Sequence, residues 1–242
     1  MSDPGGGVSD PAGGGGAVSD LAGGYRPEGE GRSARKRRAI MEAATTLFLR
    51  NGYQGTCMDE IAALAAVSKQ TVYKNFADKE RLFSEIILGA IDAVCEPFHA
   101  RIRAIQDTND LEHDLRELAR RYIASVMRPQ VLQLRRLVIG EAGRLPELAR
   151  AYYERAPRRT IAMFASCFQH LAERGLLHKH DPLITASHFA FLILGMPLDE
   201  ATFCGDEERH EPARLERLAD AGVRAFVTAY GRTSRAASRC DV

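Results

Sequence analysis

From residue 33 onward the apolar side chains recur at helical spacing, and no stretch shows the alternation of a half-buried strand. That property confines the chain to an all-α fold. Ile40, Ala43, Ala44, Leu47 and Phe48 form the first stripe, and Asn51-Gly52 offers a left-handed ending for that helix. Thr56, with Asp59 three residues later, reads as a capping box opening a second helix that buries Ile61, Leu64 and Ala65 and stops near Ala66-Val67. Ser68 caps a short third helix through Phe76. Asp78 caps a long fourth one over 78–104, with Leu82, Phe83, Ile86, Ile87, Ala90, Ile91 and Val94 on one side. Punctuation then predicts helices over about 110–127, 130–142, 146–174 with an interruption near Pro157, 183–203 behind Asp181-Pro182, and 212–230. The total is about nine helices.

Charge is what divides this helical chain. The net charge of the 242 residues is +1, yet residues 32–81 carry ten basic and five acidic side chains. Residues 1–31 carry one basic and five acidic side chains, and the remaining 161 residues balance. A basic block within a neutral chain suggests a localised module for a polyanion, although a solvated surface can look the same. Residues 1–31 include eleven glycines and a repeated Ser-Asp, too little apolar content to repay ordering, so a flexible acidic tail is expected there. A second tail is expected over 233–242. The longest apolar run, FAFLILGMPL at 189–198, is too short for a bilayer, which takes about 20 residues. No secretory signal is visible, and five scattered cysteines without a CxxC pair fit neither a disulfide scaffold nor a zinc finger. A cytoplasmic protein without cofactor or metal is the expectation.

Residues 56–76 read as two short helices joined by a tight turn with a third packed behind, a helix-turn-helix. In SKQTVYKNF, Val72 and Phe76 face inward. Lys69, Gln70, Thr71, Tyr73 and Lys74 take the remaining surface. Gln reads base edges, Thr meets a thymine methyl or a phosphate, and Tyr and Lys bind phosphate. Ser68 opens that helix, whose N-terminal N–H groups favour anions.

The segment Arg35 to Phe83 resembles the TetR family of transcriptional regulators. The resemblance is carried by the basic start, then AIMEAATTLFLRNGYQGT, MDEIAALAAVS and SKQTVYKNFADKERLF, a 49-residue string of fixed spacing. Asn75 departs from it, standing where the family often has His. The resemblance implies phosphate contacts for Thr56, Tyr73 and Lys79, and base edges or the adjacent backbone for Lys69, Gln70 and Thr71. Arg35 belongs to the same DNA-binding set through its basic start. It further implies a DNA-binding domain over 33–93 and, over 94–232, a helical domain that binds a small molecule and dimerises through its last two helices.

The segment RRLVIGEAGRLPELARAYYERAP resembles part of some branches of the same family. Residues 183–196 are apolar nearly all round, so that helix is expected to be covered from more than one side, part of the cover coming from a twin subunit. The dimer set is Leu192, Gly195, Leu215, Leu218, Gly222 and Phe226. Gly195 and Gly222 sit inside helices, which argues for close helix approach, or for a simple kink where Pro197 follows. The expected pocket residues are Phe98, Tyr122, Phe164, Cys167, Phe168 and His188 on inward stripes, together with Glu141. Aromatic stripes are also ordinary core, and Glu141 also suits a salt bridge to a nearby Arg. His178, His180 and Asp181 are close in sequence, but an interhelical turn is polar anyway.

Three function classes meet these features differently. A homodimeric, ligand-responsive repressor on a palindromic duplex-DNA operator, released by a largely apolar effector, accounts for all of them. No nucleophile elbow, phosphate loop, HExxH or dinucleotide fingerprint supports an enzyme. An architectural DNA-binding protein without ligand control leaves the neutral two thirds of the chain without a task.

Overall fold

The computed structural model describes residues 31–204 and 211–232. The expected tails, 1–31 apart from Gly31 and 233–242, lie outside them. The order is α1 (Arg32–Asn51), α2 (Met58–Leu64), α3 (Lys69–Asn75), α4 (Lys79–Ala104), α5 (Leu111–Val126), α6 (Pro129–Glu141), α7 (Pro146–Tyr153), α8 (Arg159–Glu173), α9 (Pro182–Phe203) and α10 (Pro212–Tyr230). A π-turn at Glu154–Arg158, containing Pro157, joins α7 and α8 into one rod. Nine rods therefore make up the described residues, which contain no strand. The chain divides into two compact units between Leu82 and Phe83. That boundary falls inside α4, earlier than the expected 93, because one unbroken helix carries the chain from the first unit into the second.

In the first unit α1 buries Ile40, Ala43, Ala44, Leu47 and Phe48, and Gly52 ends it at φ 72°. The cap of α2 is Cys57, not Thr56. Cys57 Sγ accepts from the Glu60 N–H, and the Glu60 carboxylate accepts from the Cys57 N–H at 3.2 Å. The box lies one residue later than expected because Thr56 is buried, its hydroxyl donating to the Gly52 carbonyl at 2.8 Å. Leu64, expected inside, is 54% exposed, and Met58 and Ala62 pack inward beside Ile61 instead. The α2–α3 turn closes as a Schellman motif. Val67 N–H donates to Ala62 O and Ala66 N–H to Ala63 O, with Ala66 at φ 51°.

In the second unit α5, α8, α9 and α10 surround one core. Its centre is a chain of rings in face or edge contact, running from Phe98 through Tyr122, Phe164, Phe168, Phe189 and Phe226 to Tyr230. Arg120 makes a bidentate pair with Asp220, both bonds 2.8 Å, which ties α5 to α10. The same pair holds the Asp220 carboxyl below its ordinary pKa. The end of α10 is pinned to the segment before α9, where His178 N–H donates to Tyr230 O at 2.8 Å and Arg232 N–H to Leu176 O at 3.0 Å.

Helix α9 is longer than its apolar run. It is the one described helix long and apolar enough to cross a membrane, with an 18-residue window of mean hydropathy 1.3. One side, including Phe189, Ile193 and Leu194, belongs to the core just described.

Candidate functional site

Helix α3 is the candidate reading element, and the local sequence explains its pose. Ser68 Oγ accepts from the Thr71 N–H at 3.2 Å and lies 2.8 Å from the Thr71 hydroxyl. Val72 and Phe76 anchor the inner side at 0% and 2% exposure. Arg37 of α1 lies 4.5 Å from the Phe76 ring centroid, a cation–π contact that braces α3 from behind. Lys69, Gln70, Tyr73 and Lys74 are exposed and Thr71 is half-buried. Arg35 is exposed on the first turns of α1. Asn75 donates to the Thr71 carbonyl at 2.8 Å, so this departure from the family string serves the helix itself.

Three carried-over roles change with the geometry. Thr56 presents no hydroxyl to a ligand, because that group is buried and engaged with Gly52. Lys69 is not a bare cation: it pairs with Asp59 of α2 at 2.7 Å. That hydrogen bond, followed by the Asp59 charge, raises the Lys69 pKa. Lys79 is half-buried and donates to the Tyr53 and Thr56 carbonyls, both at 2.9 Å, while its ammonium sits 4.4 Å from the Tyr53 ring centroid. It therefore clips the α1–α2 loop. No carboxylate neutralises it among the described residues, so its charge remains available at that surface.

In the second unit Phe98, Tyr122, Phe164, Cys167 and Phe168 come together, but as packed core at 7% exposure or less. Burial pushes the Cys167 thiol up to about 12, which makes it inert as a nucleophile. His188 does not join them. It is exposed, and its Nδ1 is hydrogen-bonded to the Tyr230 hydroxyl, because its position on α9 points away from the side carrying Phe189. Glu141 lies 3.9 Å from Arg144, the salt-bridge alternative raised by the sequence. His178 and His180 have ring centroids 6.5 Å apart, and among the described residues no group of three or more His, Cys, Asp or Glu is arranged to hold a metal ion.

The dimer set divides in two. Leu215, Gly222 and Phe226 are buried in their own chain, and a Cβ on Gly222 would stand 2.9 Å from the Leu192 carbonyl oxygen. The close approach expected of that glycine is real, but it joins α10 to α9 of the same subunit. Leu218 is half-buried, as is Gly195, where an added Cβ would meet the Phe191 side chain at 3.8 Å. Leu192 remains exposed. It is joined on the outer side of α9 by Phe191, 73% exposed, and Met196, 70% exposed, neither of which was in the expected set. Arg135 and Tyr152, which also lie outside the expected pocket set, are half-buried and buried in this unit.

Comparison with known proteins agrees with both units. Residues 40–86 match the family described as bacterial regulatory proteins, tetR family. Residues 113–232 match the AefR-like transcriptional repressor C-terminal domain. A putative TetR-family transcriptional regulator from Mesorhizobium loti is 46% identical, with a TM-score of 0.77 over 84% of this chain and 100% of that one. The flavonoid-responsive regulator FrrA is 30% identical, with a TM-score of 0.65 over 83% of this chain and 99% of that one. The transcriptional repressor TetR of Mycobacteroides abscessus is 37% identical over 87 residues, 36% of this chain and 40% of that protein. The chain thus spans less than half the length of the curated relatives it matches. With the helix-turn-helix built as described and both units matched, the chain belongs to the TetR family of transcriptional regulators.

Proposed function

We propose that this regulator is a homodimeric repressor that binds a palindromic DNA operator in the cytoplasm and leaves it when a small molecule enters the second unit. The observation that carries the reading is the outer face of α3, where Gln70, Tyr73 and Lys74 stand exposed around an anchored Val72–Phe76 side. Such a face fits a major groove, with Gln70 at base edges and Lys74 and Tyr73 at phosphates. The exposed Phe191, Leu192 and Met196 on α9 support self-association, since monomers rarely leave such a patch uncovered. A flavonoid-responsive relative, similar across both units, supports small-molecule control.

The test is a binding-site selection on random duplexes with the purified protein, followed by titration of the selected and a scrambled duplex at two salt concentrations. An inverted-repeat consensus, bound by two subunits about 10³-fold or more tighter than the scrambled duplex, is the expected result. Equal affinity for both duplexes would instead identify a sequence-neutral architectural protein.

A further inference from the structure

The second unit holds a cluster of interior polar groups around one guanidinium nitrogen that no protein group satisfies. Arg135 of α6 is half-buried, and its Nε is fully shielded without a hydrogen-bond partner. Among the described residues no carboxylate pairs with that guanidinium. Tyr122 of α5 and Tyr152 of α7 are buried at 7% and 8% exposure, and the Tyr152 hydroxyl accepts a hydrogen bond from the Arg135 side chain. Helix α6 packs against both α5 and α7, which brings the three groups together. Both tyrosine hydroxyls feel the Arg135 charge, as well as the Cys95 thiol on α4. Burial pushes that thiol up to about 11.

A folded protein satisfies nearly all of its buried polar groups. A half-buried guanidinium without a counter-charge costs more still, because desolvation is not repaid by an ion pair. A guanidinium without a counter-charge, beside two neutral hydroxyls that each keep a proton to donate, forms a complementary set for a bidentate oxyanion. The surrounding rings favour an apolar body behind it.

We propose that Arg135, with the Tyr122 and Tyr152 hydroxyls, binds the anionic head of the effector, a carboxylate or phenolate on an apolar body. This rests on the reading of the second unit as effector-binding. Arg135 neutralises the head, the two hydroxyls donate to its oxygens, and the charge rather than the shape of the head sets specificity.

Two acid–amide pairs test this on the full chain by calorimetry: 2-naphthoate against 2-naphthamide, and decanoate against decanamide. At least one acid is expected to bind 10-fold or more tighter than its amide, and Arg135→Gln should remove that preference. Tyr152→Phe should weaken the acid alone. Without ligand, Arg135→Met should melt no lower than the parent, and about 2–4 °C higher where relief of the unpaired charge reaches 1 kcal/mol. Acids that bind no tighter than their amides, a preference that survives Arg135→Gln, or an Arg135→Met protein that melts well below the parent would each overturn the assignment. Operator release is measured separately. An acid that binds through Arg135 yet leaves DNA affinity unchanged sinks the effector reading and spares the anion site. A neutral compound that releases DNA equally from parent and Arg135→Gln does the reverse.

Discussion

Lys69, the first residue of the reading helix, is ion-paired with Asp59 in the first turn of α2 at 2.7 Å. The pair spans the helix-turn-helix and sets a carboxylate beside the face proposed to meet DNA. Both partners are well exposed, so the pair adds little stability. Its consequence is for binding: Lys69 must leave Asp59 before it can serve a base edge or a phosphate. Asp59→Asn should therefore tighten DNA binding several-fold at low salt, with a change in unfolding free energy within about 0.5 kcal/mol. Fluorescence anisotropy on a labelled duplex measures the first quantity and urea titration the second. Unchanged affinity would mean that Lys69 stays on Asp59 in the complex.

Lys79 and Lys74 separate two roles of a basic residue. Lys79 is tied to two loop carbonyls and an aromatic face, whereas Lys74 stands exposed on α3. Bonds from a charged donor contribute more than neutral ones, so Lys79→Ala should cost about 1.5–3 kcal/mol of stability. Lys74→Ala should cost almost none. Lys74→Ala should flatten the salt dependence of binding by about one unit per head. Chemical denaturation and anisotropy at four salt concentrations, run on both variants, check the contrast.

Gly222 and Phe191 separate folding from assembly. A side chain at Gly222 would collide with backbone at 2.9 Å, so Gly222→Glu should unfold the second unit rather than release intact monomers. Phe191 is exposed, so Phe191→Glu should leave the melting curve of the monomer cooperative while abolishing the dimer. Sedimentation velocity at micromolar concentration, beside circular dichroism, distinguishes these outcomes. A dimer that survives both Phe191→Glu and Met196→Glu would place the interface elsewhere.

Burial of His99 predicts the sign of a pH dependence in the second unit. It is fully buried, with Nε2 3.0 Å from the Thr160 hydroxyl. Burial lowers its pKa, Arg159 lowers it further, Glu96 opposes, and Arg103 lowers it slightly. The unfolded chain then takes up the proton first. The stability contributed by neutral His99 is complete above its ordinary value of 6.5 and is lost as pH falls below it. The melting temperature should drop between pH 7 and pH 5, and the drop should shrink in His99→Gln. A drop of the same size in that variant would assign the effect to other groups.

Much of the architecture was legible because helix ends carry chemical signatures. Asp181-Pro182 and Asp78 start helices where side-chain caps predict, and Asp181 accepts from the N–H groups of Leu183 and Ile184. The capping-box pattern points to Thr56 and not Cys57 because a cysteine cap is unusual, and sulfur is not a residue type that the pattern seeks. The end of α2 carries no glycine, since Ala66 takes the left-handed position itself. Helical period says which side of a helix is apolar but not which neighbour covers it. The pattern therefore groups Phe226 and Leu192 as one interface, although one lies in the core and the other faces outward. Arg135 is illegible for a related reason: an Arg on a helix reads as solvated surface until its shielded Nε and its lack of a counter-charge are seen.

Under the proposed function, sequence readout falls to α3. Gln70 is exposed on its first turn, one residue after the Asp59-bound Lys69. Its amide carries both a donor and an acceptor, so it can pair with adenine in a bidentate contact that discriminates by about 1–3 kcal/mol. A phosphate contact carries no such information. Gln70→Ala should thus relax the preference at one symmetric pair of base positions and leave the salt slope close to the parent's. Lys74→Ala should weaken all sequences alike and change the slope. Binding-site selection on both variants at two salt concentrations reads the two effects apart. If Gln70→Ala recovers the parent consensus with the same stringency, base readout passes to Lys69 or Thr71. The Asp59→Asn variant, which frees Lys69, would then shift the consensus where Gln70→Ala does not.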